Sequence, residues 1–241
     1  MLKSSHQLLL VVAPDWGSPV GQLQRYTRDS PLDSWHPADS AIPVSLGRSG
    51  LAWGRGIHSL PAALGPEKLE GDGCSPAGIF SITTLFGSAA PDSALALGAK
   101  LPYLSATDDL KAIDDPASAY YNRIVDQSTV AWPDWVSCED MLRYDQRYAV
   151  GAVVAHNTQP PVAGAGSCIF LHVWEAPDRP TAGCTALALA DMSQIAGWLD
   201  AAARPVLVQL PQAEYDRWRE VWALPEFPFV FPVGDSPQRP G

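Results

Sequence analysis

Prolines and glycines punctuate this chain throughout, 23 and 19 of them in 241 residues. Proline interrupts helices and central strands alike, and glycine marks turns. The apolar stretches between them are short, which favours many strands joined by turns over a bundle of helices. Strands are expected at residues 7–12, 21–26, 42–46, 79–82, 120–125, 148–155, 167–174 and 206–210. The first is stopped by Pro14-Asp15. Residues 68–78, with Gly71, Gly73 and Gly78, form a dense turn segment. Residues 91–115 lack a pattern and read as an irregular insertion over a site.

Three stretches read as helical. In residues 186–203, Met192, Ile195, Ala196 and Leu199 fall on one face at 3.6 spacing, and Arg204-Pro205 ends the run. Pro211 opens a second helix through Trp222. A third, short one is expected over residues 135–144, with Trp135, Cys138, Met141 and Leu142 on one side. With no repeat and no linker, the expectation is one domain over residues 1–241, a core over 7–210 and a loosely ordered proline-rich tail over 225–241. The fold class is mainly β (β-rich α+β): a twisted mixed sheet or sandwich with a few packed helices.

Charge and composition narrow the function. A net charge of −10 without any Lys/Arg run leaves no basic face for a nucleic acid or an anionic membrane. A hydrophobic content of 46% supplies an ordinary buried core. The apolar run at residues 8–13 is too short to span a bilayer and reads better as a first strand than as a signal peptide. The four cysteines, Cys74, Cys138, Cys168 and Cys184, contain no CxxC pair, so a zinc ribbon or thioredoxin-type site is unsupported. Their number fixes neither disulfides nor redox compartment. A metal shared by His156, Cys168, His172 and Cys184 matches no zinc spacing; on one strand Cys168 and His172 would stand roughly 13 Å apart. No metal and no cofactor is expected.

The chemistry points to Cys184 in Thr181-Ala182-Gly183-Cys184-Thr185. It is expected where a loop meets the helix at 186–203, and a helix N-terminus stabilises a thiolate. Gly183 lets a carbonyl approach the backbone, and the N–H groups of Gly183 and Cys184, or of Cys184 and Thr185, are candidates for an oxyanion hole. The position fits a buried core cysteine equally well. His172, twelve residues earlier on the strand at 167–174, shares a face with Cys168, Phe170 and Trp174 and is the candidate base. Taken alone it also fits a hydrogen-bonded structural histidine. His156-Asn157 ends the strand at 148–155 and either closes it or supports His172 and substrate.

Taken together, these residues resemble the L,D-transpeptidase (YkuD-like) family, in its divergent proteobacterial branch. Residues 169–172 followed by 181–184 resemble that family's strand histidine and Ser/Thr-His-Gly-Cys signature, and residues 75–82 its Ser/Thr-Pro-x-Gly-x-Phe segment. Residues 68–78, Tyr121-Asn122 and His156-Asn157 fit the branch, and the likeness spans residues 7–210. One position departs: Ala182 stands where the signature has a second histidine, so His172 is the one matched imidazole.

The resemblance implies acyl transfer on peptidoglycan stem peptides in the periplasm or cell envelope. Cys184 would be the nucleophile and His172 the base, with Gly183, Thr185, Thr181 and His156 in support. Arg179, Asn157, Lys68 and Arg123 are candidates for pairing substrate carboxylates. Carbapenem-type inhibitors are expected partners. The alternatives are a carboxypeptidase or amidase using the same pair, and a non-catalytic wall-binding protein.

Overall fold

A computed structural model describes residues 2–59 and 65–228 of the chain. The expected tail therefore lies outside the described residues from 229 onward. Fourteen strands are present among the described residues. The N-terminal half carries β1 (Gln7–Ala13), β2 (Val20–Thr27), β3 (His36–Pro37), β4 (Ile42–Ser45), β5 (Leu51–Trp53), β6 (Ser75–Gly87), β7 (Tyr103–Ser105) and β8 (Leu110–Ala112). The C-terminal half carries β9 (Ile124–Asp126), β10 (Glu139–Asp140), β11 (Val150–Val154), β12 (Phe170–Val173), β13 (Thr185–Leu187) and β14 (Val206–Pro211). Three α-helices accompany them: α1 (Ala94–Gly98), α2 (Leu189–Trp198) and α3 (Gln212–Trp222).

The mixed sheet runs β1-β14-β6-β11-β12-β13-β4-β2-β3, and β1 also pairs with β2. The circuit of eight strands thereby closes on itself. Strands β5 and β7 are attached to β6, and β8, β9 and β10 form a separate small sheet. Closure explains why β1, Gln7-Leu-Leu-Leu-Val-Val-Ala13, shows no polar alternation. It pairs in parallel with β14 on one side and antiparallel with β2 on the other, α3 packs across it, and all seven residues are buried. A strand covered on both faces reads as a continuous apolar run.

The strands that frame the cysteine do alternate. Val150, Ala152, Val154, Leu171, Val173 and Leu187 face the main core with Met192, Ile195 and Ala196 of α2. Phe86, Phe170 and Cys184 face the other way, into a second cluster with Leu110, Ala112, Met141 and Tyr148. The small sheet thus lies over the outer face of β11 and β12, and its strand β8 belongs to the stretch read as an insertion over a site. On that face, Gly151 is the register partner of both Phe86 and His172. A Cβ there would fall 2.3 Å from the Phe86 ring, so glycine leaves room for that ring, which packs edge-on against Tyr148 and Phe170.

Two helix expectations need correction. Residues 135–144 are not helical. Val136 N–H donates to Asp115 Oδ2 at 2.8 Å, and Glu139–Asp140 pairs with β8. A side chain and a strand thus take backbone groups that a helix would need. The helix read over 186–203 shrinks to α2 because Thr185–Leu187 pairs in parallel with β12. Of the stretch at 120–125, Ile124 and Val125 enter β9, while Tyr121 and Asn122 lie in the preceding turn.

Candidate active site

Cys184 lies at the mouth of β13, opposite Phe170 if the Leu171–Thr185 register is extended by one residue. His172 is two residues further along β12, on the same face. With strands about 4.8 Å apart and a rise of about 3.3 Å per residue, the two Cα atoms are roughly 8 Å apart, a span that an imidazole and a thiol can close. Both side chains line a cavity of about 160 Å³, with Glu139, Arg143, Arg147, Tyr148, Trp174, Arg179 and Ala182 among its walls. That is small beside the roughly 300–1,000 Å³ of a drug-sized ligand site. It has room for a small group beside the sulfur and no more.

The backbone around Cys184 is held by three hydroxyl contacts. Thr181 Oγ1 donates to the Cys184 carbonyl at 2.6 Å and accepts from Gly183 N–H at 3.1 Å. Ser75 Oγ donates to the same carbonyl at 2.9 Å. Gly183 has φ +155°, and a Cβ there would lie 3.0 Å from the Cys74 carbonyl oxygen, so a side chain is disfavoured on both counts. Because its N–H is given to Thr181, Gly183 is a turn residue here and offers no free oxyanion donor. Thr185 turns to the opposite face. Its hydroxyl donates to Gln209 Oε1 at 2.7 Å, and Gln209 Nε2 donates to the Pro76 carbonyl at 3.0 Å.

Electrostatics correct a further expectation. Cys184 enters a strand, and α2 begins five residues later, so no helix N-terminus faces the sulfur. Burial, with the negative charge of Glu139 adding to it, pushes the thiol up to about 12. The resting sulfur donates to the Cys168 carbonyl at 3.6 Å and accepts from Phe170 N–H at 3.3 Å. That N–H is the one local group that favours the thiolate by hydrogen bonding. His172 Nδ1 lies 2.8 Å from the Val173 carbonyl. A carbonyl only accepts, so Nδ1 carries the proton and Nε2 is the basic nitrogen. Burial lowers the imidazole to about 4, and Arg147 and Arg143 act in the same direction. The resting pair is therefore thiol and neutral imidazole. Alkylation of Cys184 by iodoacetamide is expected to be slow at pH 7 and to rise about tenfold per pH unit from pH 7 to 10. A plateau below pH 8, read by peptide mass, would contradict this.

The other expected residues disperse. His156 accepts from Arg55 N–H at 3.2 Å through Nδ1 and donates to the Ala165 carbonyl at 2.9 Å through Nε2. It packs edge-on against Phe80 and does not line the Cys184 cavity. Asn157 spends its amide on Val162 and Gly166, closing the loop that follows it. Lys68 is buried, with Nζ 2.6 Å from Asp72 Oδ1 and 2.7 Å from the Leu69 carbonyl. All three are hydrogen-bonded within the frame, which leaves Asn157 and Lys68 engaged away from a substrate carboxylate and His156 engaged away from His172. Asn122 ties that frame to the site strand, donating to the His156 and Asn157 carbonyls and accepting from Cys168 N–H. Arg123 lines a separate cavity with Cys168 and Phe170. Arg179 is exposed at the rim of the Cys184 cavity.

Two wall residues went unnoticed in the sequence. Tyr148 OH donates to Glu139 Oε2 at 2.5 Å, and its ring meets His172 edge-on at 5.4 Å and Phe170 at 5.8 Å. Glu139 comes from the misread segment at 135–144, and Tyr148 was taken as the start of a strand. Only folding the small sheet over the site brings them to Cys184. All four cysteines are free thiols.

No group of His, Cys, Asp and Glu among the described residues is arranged to hold a metal ion. None of their helices is long and apolar enough to cross a membrane. Neither the curated proteins nor the solved structures searched give a match. The family model of the L,D-transpeptidase catalytic domain (YkuD) matches residues 39–208. That span contains the Ser75–Gly87 strand, His172 and Cys184, and it covers well over half of the chain. The chain belongs to the L,D-transpeptidase catalytic-domain family.

Proposed function

We propose that the protein is a cysteine acyltransferase of the cell envelope that joins peptidoglycan stem peptides, with Cys184 as nucleophile and His172 as base. One observation carries the reading: the thiol and the basic Nε2 of an imidazole fixed through Nδ1 share one small cavity on neighbouring strands. Family membership supplies the substrate class, peptidoglycan peptides.

Burial raises the thiol and lowers the imidazole, so the neutral pair is the resting state and proton transfer ahead of bond formation is disfavoured. The proton therefore moves to His172 as the sulfur–carbon bond forms, not before. Phe170 N–H steadies the sulfur as charge grows on it. The imidazolium then protonates the departing amine, which leaves a thioester on Cys184. An incoming amine attacks the thioester and restores the thiol. Arg179, exposed and without an ion pair among the described residues, is the carboxylate anchor at the rim.

Incubation with purified muropeptides tests the reading. Intact mass is expected to show an acyl-enzyme, and product masses a cross-linked dimer. Release of the terminal residue without dimer would make the enzyme a carboxypeptidase. The absence of any acyl-enzyme would overturn the assignment and leave a wall-binding role.

A further inference from the structure

The reaction above has a second half, and the cavity holds a group the first half does not use. Glu139 reaches the cavity from β10 of the covering sheet, where it is the register partner of Ala112. One of its carboxylate oxygens is fixed by the Tyr148 hydroxyl. The other, Oε1, has no hydrogen-bond partner among the described residues. The cations on the same wall hydrogen-bond elsewhere: Arg143 and Arg147 both pair with Asp145, at 3.0 and 2.6 Å, and reach Glu139 through their charge alone. Arg179 and Glu175 lie exposed at the mouth. The inner wall next to the sulfur thus presents a lone carboxylate oxygen.

A carboxylate beside a thiol is a liability for the first half-reaction, since it opposes the thiolate. It is an asset for the second, where the attacking amine arrives protonated. We propose that Glu139 binds the acceptor's ammonium group beside the Cys184 thioester and takes its first proton, so that amine is favoured over water as the acyl acceptor. The inference rests on the acyltransferase reading of Cys184 and His172.

The protons balance. The ammonium gives one proton to Glu139 and becomes a free amine. Its nitrogen attacks the thioester carbon, and the carbon–sulfur bond breaks as the carbon–nitrogen bond forms. The second proton passes from that nitrogen to His172 Nε2 and then to the departing sulfur, which returns to thiol. Glu139 releases its proton to water. Burial raises the Glu139 carboxyl, which brings its proton affinity nearer to that of an amine in the same cavity. Tyr148, itself kept neutral by burial, remains a donor throughout.

The test compares wild type with Glu139→Gln at pH 7, acylated by the same muropeptide donor and offered two acceptors. Nα-acetyl-lysine amide carries an ammonium group at that pH, whereas hydroxylamine is uncharged. The readout is the ratio of transfer product to hydrolysis product, which does not depend on how much acyl-enzyme forms. For the lysine acceptor the ratio is expected to fall at least tenfold in Glu139→Gln. For hydroxylamine it is expected to stay within about threefold of wild type. An unchanged ratio with the lysine acceptor overturns the Glu139 role alone. So does an equal fall with both acceptors, which would make Glu139 a general support of the site. If wild type forms no acyl-enzyme, the reading of Cys184 fails and this proposal fails with it.

Discussion

Cys184→Ala is expected to abolish the acyl-enzyme and to lower transfer by on the order of 10⁴-fold or more, because no other thiol is among the residues lining the cavity. The fold should survive. The side chain is buried, and removing one sulfur costs about 1 kcal/mol in a well-packed cluster. A carbapenem should add its full mass to the wild-type protein and nothing to the variant. Transfer retained by Cys184→Ala would end the nucleophile assignment, and a wild type that takes up no carbapenem would count heavily against it. Normal unfolding of the variant, followed by circular dichroism, separates lost chemistry from lost structure.

Acid is expected to unfold this protein through two histidines more than through its carboxylates. Burial lowers both His156 and His172 to about 4 in the native state. In the unfolded chain each returns to about 6.5. Between those values the unfolded state binds more protons, so stability is intact above about pH 6.5 and is lost as pH falls to 4. Each histidine accounts for roughly 3 kcal/mol, a large share of the roughly 5–15 kcal/mol that a domain has in all. Burial raises the Glu139 carboxyl, which works with the opposite sign and offsets part of the loss at low pH. Urea unfolding measured from pH 7 to 4 should show the midpoint falling steeply across that window. A flat curve would mean that neither imidazole is as dry as its surroundings indicate.

The character of the fold, and the cysteine and histidine that the fold brings into one cavity, were legible in the sequence for local reasons. Strand patterns at β1 and β14 were legible because each run is apolar and bounded by turn residues, and at β2 because polar and apolar residues roughly alternate. The histidine and cysteine were legible because a short spacer links a strand to a Gly-Cys turn. What failed was long-range. Ala186 and Leu187 read as helix because their neighbours down the chain are helix formers. The pairing of β13 with β12, whose register partners lie fourteen residues back in sequence, outweighs that local preference. That mistake carried the helix dipole into the account of the thiol. His156, Asn157 and Lys68 were read as site residues because polar side chains at strand ends and in turns look available. Only their hydrogen bonds, Lys68 within its own turn, His156 to Arg55 and Ala165, and Asn157 to Val162 and Gly166, show that they are occupied. Glu139 and Tyr148 escaped notice because nothing nearby in the chain marks them.

The closure of the sheet by its first strands has a consequence for where the chain can be cut. The span shared with the family begins at residue 39, after β1, β2 and β3. A fragment starting there would leave β14, buried along its whole length, and β4 each with one side unpaired. Exposed apolar edges recruit other chains and seed aggregates. The boundary of family likeness and the boundary of a soluble, self-sufficient piece are therefore different places, set about thirty residues apart by strand β1.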